Sequence, residues 1–590
     1  MFTNEKQIIF TNKARCRDCY RCLRNCPVNA IRLIDGQAFV ENEKCILCGT
    51  CLKECPQNAK QFRRDLEKVK RLLKENENVA VSIAPSFPAI FEEWESERIP
   101  SVLRRLGFDF VSETAEAAYY VAKGTYDIFC HQRSGMCLAT ACPSFINYVE
   151  KYKPDNIKNL VKVVSPMIAH AKRLKEKLGK NQKIVFIGPC VAKKGEAERP
   201  EFEGIVDAVL TFTEFLEWIE EEKLDFKMFE ASKFDEQVIG DARLFSLSGG
   251  MTKTAALETD NLNTSVYSTS GLESIADAMH SFANTTSNIL VEPLICSSGC
   301  VNGPGLPKAQ YIFARKQSVI NYSDINFVKE ENVPESKISL GTSFNHSLAI
   351  KEIEYPEEKI RAILEQTGKL QVEDQLNCGA CGYSSCLENA KAILAGMVDI
   401  ESCIPYTKRL AQQRTDRIIE TSPNGIVILN EELEIFHMNP AFKRFFMSTN
   451  SVIGKRISYL MDPEPFIELK ESETDKIEMV IKHENYGVTC HQLMYKLKEE
   501  KQYIGIFVDV TKNLTDVEKL DSLREKTIHQ AQELLDHQIE MAQQLAKLLG
   551  ESTAKGEELV ENLLKLTQDE KMKNIAGKKN WLWDTSTSKL

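Results

Sequence analysis

Two runs of cysteine, CRDCYRCLRNCPVNAI at residues 16–31 and CILCGTCLKECPQNAK at residues 45–60, repeat the spacing C-x2-C-x2-C-x3-C-P. Four thiolates at these intervals wrap an iron-sulfur cubane, and the fourth cysteine of each run ligates the other run's cluster. The spacing assigns Cys16, Cys19, Cys22 and Cys55 to one 4Fe-4S cluster and Cys45, Cys48, Cys51 and Cys26 to a second. A pair of zinc knuckles is the competing reading, but a tetrahedral zinc site has no use for the doubled Cys-Pro ending.

The chain has 590 residues, 27% of them charged and 43% hydrophobic. That composition excludes a mostly disordered protein, and the length suggests roughly four domains. Its 19 cysteines are clustered as metal ligands are, not spread as in a secreted disulfide framework. The N-terminus MFTNEKQIIFTNKARC lacks a signal-peptide core, and no stretch approaches the roughly 18 apolar residues of a membrane span. A cytoplasmic location is expected. The net charge of −10 gives no reason to expect nucleic acid or an anionic membrane as partner. The first 62 residues carry ten Lys/Arg against six Asp/Glu. Such a basic segment suits anionic clusters or an acidic electron carrier, and an ordinary solvated face accounts for it equally well.

Residues 1–62 resemble a bacterial two-cluster ferredoxin, with every ligand position filled. A charged helical linker, RDLEKVKRLLKENEN, covers residues 63–76 and their surroundings. From 77 to 345, short β-rich runs (VAVSIA, KIVFIG, VDAVLTF) alternate with amphipathic helices such as MIAHAKRLKEKL. This is the α/β pattern of parallel sheets covered by helices, whose ligands collect in loops past the strand ends. Three loops are candidates: LATACPSF, FIGPCVAKK and EPLICSSGCVNGPGLP. Residues 346–408 contain C-x2-C-x4-C-x16-C through Cys378, Cys381, Cys386 and Cys403. A further 4Fe-4S cluster fits these four thiolates, with zinc as the alternative. The segment resembles a small 4Fe-4S module of redox and corrinoid proteins. Residues 409–512, with a turn at Ser422-Pro423-Asn424-Gly425 and a closing Asp509-Val510-Thr511, resemble a PAS domain. Apolar residues from Val517 to Leu549 then recur every three to five positions, a stripe that needs a partner helix. Signalling or coiled-coil helices are expected over 513–567 and a polar tail over 568–590. The expected fold class is thus multidomain α+β and α/β.

Cys142, Cys190 and the Cys296-x3-Cys300 pair, in the strings TACPSF, GPCVAKK and LICSSGCVNG, resemble the three signature loops of the FeFe-hydrogenase active-site domain. The resemblance implies an H-cluster: a 4Fe-4S cube on these four cysteines, bridged through Cys300 to a diiron unit with CO, cyanide and a dithiolate. It also implies that Lys193 hydrogen-bonds a cyanide, which would give a buried ammonium its fixed anion. The family's hydrogen-producing members have a proton-passing cysteine where this chain has Ala141, and a methyl group carries no proton. Glu113, Glu116 and Ser165 match other members of that proton relay. Gly188 and Leu294 replace cluster-flanking methionines, and the third loop reads GPGLP. Changes beside a cluster alter hydrogen bonding and dielectric, which set its potential.

These departures, with VVSPMIAHAKRLK and the attached PAS segment, resemble the sensory group of FeFe-hydrogenases. The resemblance implies slow reaction with H2 and a signal passed through Fe-S clusters to the PAS domain. Implied partners are H2 and protons, ferredoxin or another redox carrier, diiron maturation proteins, and a downstream kinase, phosphatase or regulator. The helix stripe adds a homodimer through PAS and helix, with docking on the PAS surface or on the output partner as equal alternatives. Two alternatives stand beside it: a catalytic ferredoxin-dependent hydrogenase, and an Fe-S scaffold lacking the diiron unit. Cys130, Cys137 and Cys490 are left as small buried hydrophobes, with Cys137 a candidate to replace the missing proton donor. His437, His483 and His491 are expected to be satisfied structural or surface residues, and no ligand is assigned to the PAS segment.

Overall fold

The computed structural model describes residues 7–76, 78–255, 265–308, 311–325, 327–328, 338–351, 353–497 and 501–511. Contacts divide the chain into two units, residues 1–400 and 401–590.

In the first unit the cysteine runs each turn into one short helix, Arg21–Arg24 and Thr50–Glu54. An antiparallel pair, Ile9–Thr11 with Lys60–Phe62, and a hairpin, Ile31–Ile34 with Gln37–Val40, enclose them. The helix Leu66–Glu75 follows, burying Leu66 and Val69.

The next part is built on two parallel sheets. One has the order Phe110–Glu113, Val79–Ile83, Lys183–Gly188, Ala208–Thr211. The other has the order Val266–Ser270, Asn288–Leu294, Gly135–Leu138. All five residues of Val79–Ile83 are buried, as a strand covered on both faces requires. The helices Ala115–His131 and Pro166–Leu178 pack together over this core. Because the strands of each sheet are parallel, their C-terminal ends share one side. Gly135–Leu138 leads to Cys142, Lys183–Gly188 to Cys190, and Asn288–Leu294 to Cys296 and Cys300. The three expected loops therefore arise at equivalent strand ends.

The helices Glu357–Gln366 and Cys386–Leu394 pack together and belong to the cysteine-rich module. Its Tyr383, Ala392, Met397 and Val398 share a core with Ile8, Leu23, Ile31 and Leu33 of the ferredoxin-like segment. The Leu33 amide donates to the Met397 carbonyl at 2.7 Å.

The second unit has a helix, Ile404–Thr421, and a five-stranded antiparallel sheet. The strand order is Ile435–Met438, Gly425–Leu429, Gln502–Asp509, Val488–Leu497, Lys476–His483. Phe442, Phe446, Phe466, Phe507 and Cys490 fill its core. Asn439 pins the sheet to its helix: its Oδ1 accepts from the Ile426 and Phe442 amides at 2.8 and 2.9 Å.

Cys137 and Cys490 are buried, as expected, but Cys130 is exposed because it lies on the solvent side of its helix's last turn. His437 departs too, since its buried Nδ1 has no partner among the described residues, whereas His491 bonds Glu478 at 2.9 Å. The stripe from Val517 to Leu549 lies outside the described residues. Among the described residues, no helix is long and apolar enough to cross a membrane.

Candidate metal centre

Cys142 caps the helix Pro143–Tyr152, whose first residue is proline, and the backbone amides of Ile295, Phe145 and Ser144 oppose the rise that burial imposes on its thiol. Cys190 stands just before the helix Ala192–Ala197. Burial pushes the Cys190 thiol up to about 12, and the neighbouring Cys142 adds to it. Burial likewise raises Cys296 and Cys300, each of which feels Cys190 and Cys142. Four thiols from three loops are thus gathered into one place. Bound iron reverses the protonation burial imposes, since a coordinating thiol is deprotonated outright.

The loop backbones interlock where side chains would not fit. The Gly305 amide donates to the Pro189 carbonyl at 2.8 Å. A Cβ at Gly303 would come within 2.4 Å of that same carbonyl oxygen. Gly299 has φ +85, and a Cβ there would lie 2.8 Å from the Ser246 carbonyl oxygen.

Lys193 is buried on the Ala192–Ala197 helix. Its Nζ donates to Glu196 Oε2 at 2.7 Å and to the Ala141 carbonyl at 3.5 Å. Its charge acts on Cys142, Cys190 and Cys300, opposing the effect of burial. The lysine therefore faces the thiols, with Ala141 on the same wall.

The relay residues are placed differently. Glu113 is gripped by Arg243, with contacts of 2.6 to 3.2 Å. Glu116 pairs with Arg173 at 2.7 Å, and burial raises its carboxyl above the ordinary range. The Ser165 hydroxyl is buried without a partner among the described residues. Cys137 donates to the Gln132 side chain at 2.9 Å rather than to a residue of the first loop.

Three residues at this end of the sheets escaped sequence reasoning. Ser86 and Ser246 have buried, unpartnered hydroxyls, as Ser165 does. Ser86 follows the Val79–Ile83 strand, and the Ser246 carbonyl lies beside Gly299. Buried hydroxyls that find no partner among the described residues suit a polar, anionic metal group. The third, Glu292, is a buried carboxylate accepting from Thr252 Oγ1 and Ser268 Oγ at 3.1 and 3.2 Å. Its charge reaches Cys300. Its only sequence signal was position, four residues before Cys296.

The ferredoxin-like thiols fall into two groups. Cys22, pushed up to about 11 by burial, lies near Cys19, Cys16 and Cys55. Cys51 lies near Cys45, Cys48 and Cys26, and burial raises it strongly. Each group thus draws one cysteine from the other run. Lys53 stands between the second group and the third loop: it feels both Cys296 and Cys48, and its Nζ donates to Asn302. In the module, Cys378 is exposed while Cys381 and Cys386 are more enclosed, and the Cys386 amide donates to Asn377 Oδ1 at 2.8 Å. Cys403 is buried at the start of the second unit.

The C-terminal domain of the iron only hydrogenase large subunit matches residues 77–304, and a 4Fe-4S dicluster domain matches residues 15–60. An Fe-S cluster family matches residues 374–405, and a PAS domain matches 423–512. Iron hydrogenase 1 of Clostridium pasteurianum is 27% identical over 300 residues, 41% of this chain and 52% of that protein. A cytosolic Fe-S cluster assembly factor of Danio rerio is 24% identical over 374 residues, 50% of this chain and 90% of that protein. A solved FeFe-hydrogenase from Chlamydomonas reinhardtii is 18% identical at a TM-score of 0.35, covering 44% of this chain and 88% of its own. The chain spans about half the length of the iron hydrogenase it matches. The three cysteine loops therefore lie in the C-terminal domain of an iron only hydrogenase large subunit, which this chain carries together with a dicluster ferredoxin domain, a further Fe-S module and a PAS domain.

Proposed function

We propose that the protein is a slow FeFe-hydrogenase with a regulatory role, which reacts with H2 or follows redox poise and passes the signal through Fe-S clusters towards its PAS domain and an output partner. In this reading Cys142, Cys190, Cys296 and Cys300 hold the cube of an H-cluster, with Cys300 the bridge to the diiron unit. Bound there, the group supplies the metal chemistry of H2 oxidation and proton reduction.

The chain's own residues set how readily that chemistry runs. Lys193 presents a buried ammonium to the centre and is held in place by Glu196. Orphaned Ser86 and Ser246 have hydroxyls free to donate. The observation that carries the regulatory reading is Ala141. Its carbonyl receives Lys193, which puts the residue beside that ammonium, and its methyl group, packed against the apolar core, has no proton to give. Glu113 does not stand in for it, because its carboxylate oxygens are already taken up by the Arg243 guanidinium.

Signal transfer is supported by packing within the first unit. Lys53 ties the second ferredoxin group to the third loop, and Tyr383 beside Cys381 packs in one core with Cys26.

A second reading, an Fe-S assembly scaffold without the diiron unit, is favoured by the Danio rerio relative, 90% of which aligns with this chain. One experiment separates the two. Infrared spectra of the matured protein titrated with H2 are expected to show CO and cyanide bands that respond at low H2 while turnover stays slow. Absence of those bands selects the scaffold, and fast turnover selects an ordinary catalytic hydrogenase.

A further inference from the structure

The two cysteine runs end alike in sequence, CPVNAI and CPQNAK, and alike in structure. Asn29 and Asn58 both take φ of 49. The Ala30 amide donates to Cys26 Sγ and the Ala59 amide to Cys55 Sγ, both at 3.2 Å. The next residue is Ile31 in the first run and Lys60 in the second, and both are buried, at 1% and 5% exposure. The repeat thus puts a lysine where its twin has an apolar residue.

Burying an ammonium is costly unless an anion faces it. The other buried lysines around the centre obey this rule: Lys193 has Glu196, and Lys194 has Asp65 and Glu214. Lys60 does not. Its Nζ donates to Thr11 Oγ1 and the Ala38 carbonyl, both at 2.6 Å and both neutral. Among the described residues no carboxylate lies within ion-pair distance of it. The groups that its charge does reach are cysteines of both sets, Cys22 on one side and Cys26 and Cys51 on the other.

We infer that Lys60 is the built-in counter-charge of the two ferredoxin-type clusters, and that it raises both their potentials so that they accept electrons readily. The inference rests on the reading that the eight cysteines hold two 4Fe-4S clusters. Reduction adds one electron, and so one negative charge, to each cluster. A fixed buried cation stabilises the reduced form more than the oxidised one and shifts the midpoint upward. In a protein that reads H2 or redox poise, easily reduced clusters next to the active-site domain collect electrons at low driving force.

The test is a potentiometric titration of the full reconstituted chain with dithionite as one-electron donor, read by low-temperature EPR. Lys60→Gln keeps a hydrogen-bond donor and removes the charge. It is expected to lower the midpoints of both ferredoxin-type clusters, while Lys60→Arg keeps them near the unaltered values. Lys60→Ile, which copies the first run, is expected to shift them as Gln does and guards against a Gln variant that loses its clusters. Unchanged midpoints in a charge-removing variant that retains both signals overturn the role of Lys60. Absence of two ferredoxin-type signals from the unaltered protein overturns the cluster reading itself.

Discussion

A methyl group at residue 141 has no proton to exchange, so restoring the thiol there is the sharpest single change to make. Ala141→Cys is expected to raise H2 turnover by about 10²- to 10⁴-fold, the usual worth of a positioned acid-base group, measured by H2-driven dye reduction. No gain would mean that protons already reach the centre another way. Lys194 tests stability instead. It is fully buried, bonded to Asp65 at 2.9 Å, to Glu214 at 3.0 Å and to the Val209 carbonyl at 2.8 Å. Burial would raise the Asp65 carboxyl, but Lys194 and Arg63 outweigh it and hold it below the ordinary range. Lys194→Met leaves buried Glu214 without its cation and Asp65 with Arg63 alone, and is expected to cost about 3–5 kcal/mol in chemical denaturation. Glu236 makes a pH prediction. Burial opposes its ionisation, yet hydrogen bonds and charge from His170 and Lys177 take it down to about 2. A folded pKa below the unfolded one gives stability that is complete above about pH 4.5 and lost as pH falls towards 2. This amounts to roughly 3 kcal/mol. Glu236→Gln should flatten the acid limb of a stability-pH curve over that window.

At the scale of elements, the docking of the ferredoxin-like segment on the third loop depends on one backbone position. Gly49 starts the Thr50–Glu54 helix with φ +74, and a Cβ there would lie 2.4 Å from Pro304 Cβ. Gly49→Ala therefore meets both a left-handed backbone and a collision. It is expected to destabilise the first unit by about 1–3 kcal/mol and to disturb the Lys53–Asn302 contact, read by thermal unfolding and hydrogen exchange. The strands Val79–Ile83, Lys183–Gly188 and Ala208–Thr211 were legible in sequence because a buried parallel strand is a short apolar run bounded by polar turns. The partners of the charged residues were not. Lys194 reaches back to Asp65 across 129 positions, and Arg243 reaches Glu113 across 130. No local pattern announces such a pairing.

For the whole molecule, the proposed function and the arrangement of thiols together predict an order of electron transfer. The group of Cys26, Cys45, Cys48 and Cys51 lies towards Cys296 through Lys53 and towards Cys381 through Tyr383. Cys48→Ser is therefore expected to block H2-dependent reduction of the module's cluster, whereas Cys16→Ser leaves it, with EPR after H2 and after dithionite separating transfer from cluster loss. Equal loss in both variants would instead indicate a linear path through both ferredoxin clusters.

Spacing alone marked which elements carry thiols suited to cluster ligation, because ligand spacing is a local property and a cubane accepts few spacings. The sequence also marked Ala141 as a position without a proton and divided the chain into its ferredoxin-like, α/β, module and PAS segments. It took the folded chain to show that Lys193 faces the thiols beside Ala141, that Arg243 holds Glu113, and that Lys60 is buried with no carboxylate of the described residues within ion-pair distance. Burial and charge pairing join residues far apart in the chain, and these two properties set the cost of an ion and the potential of a cluster.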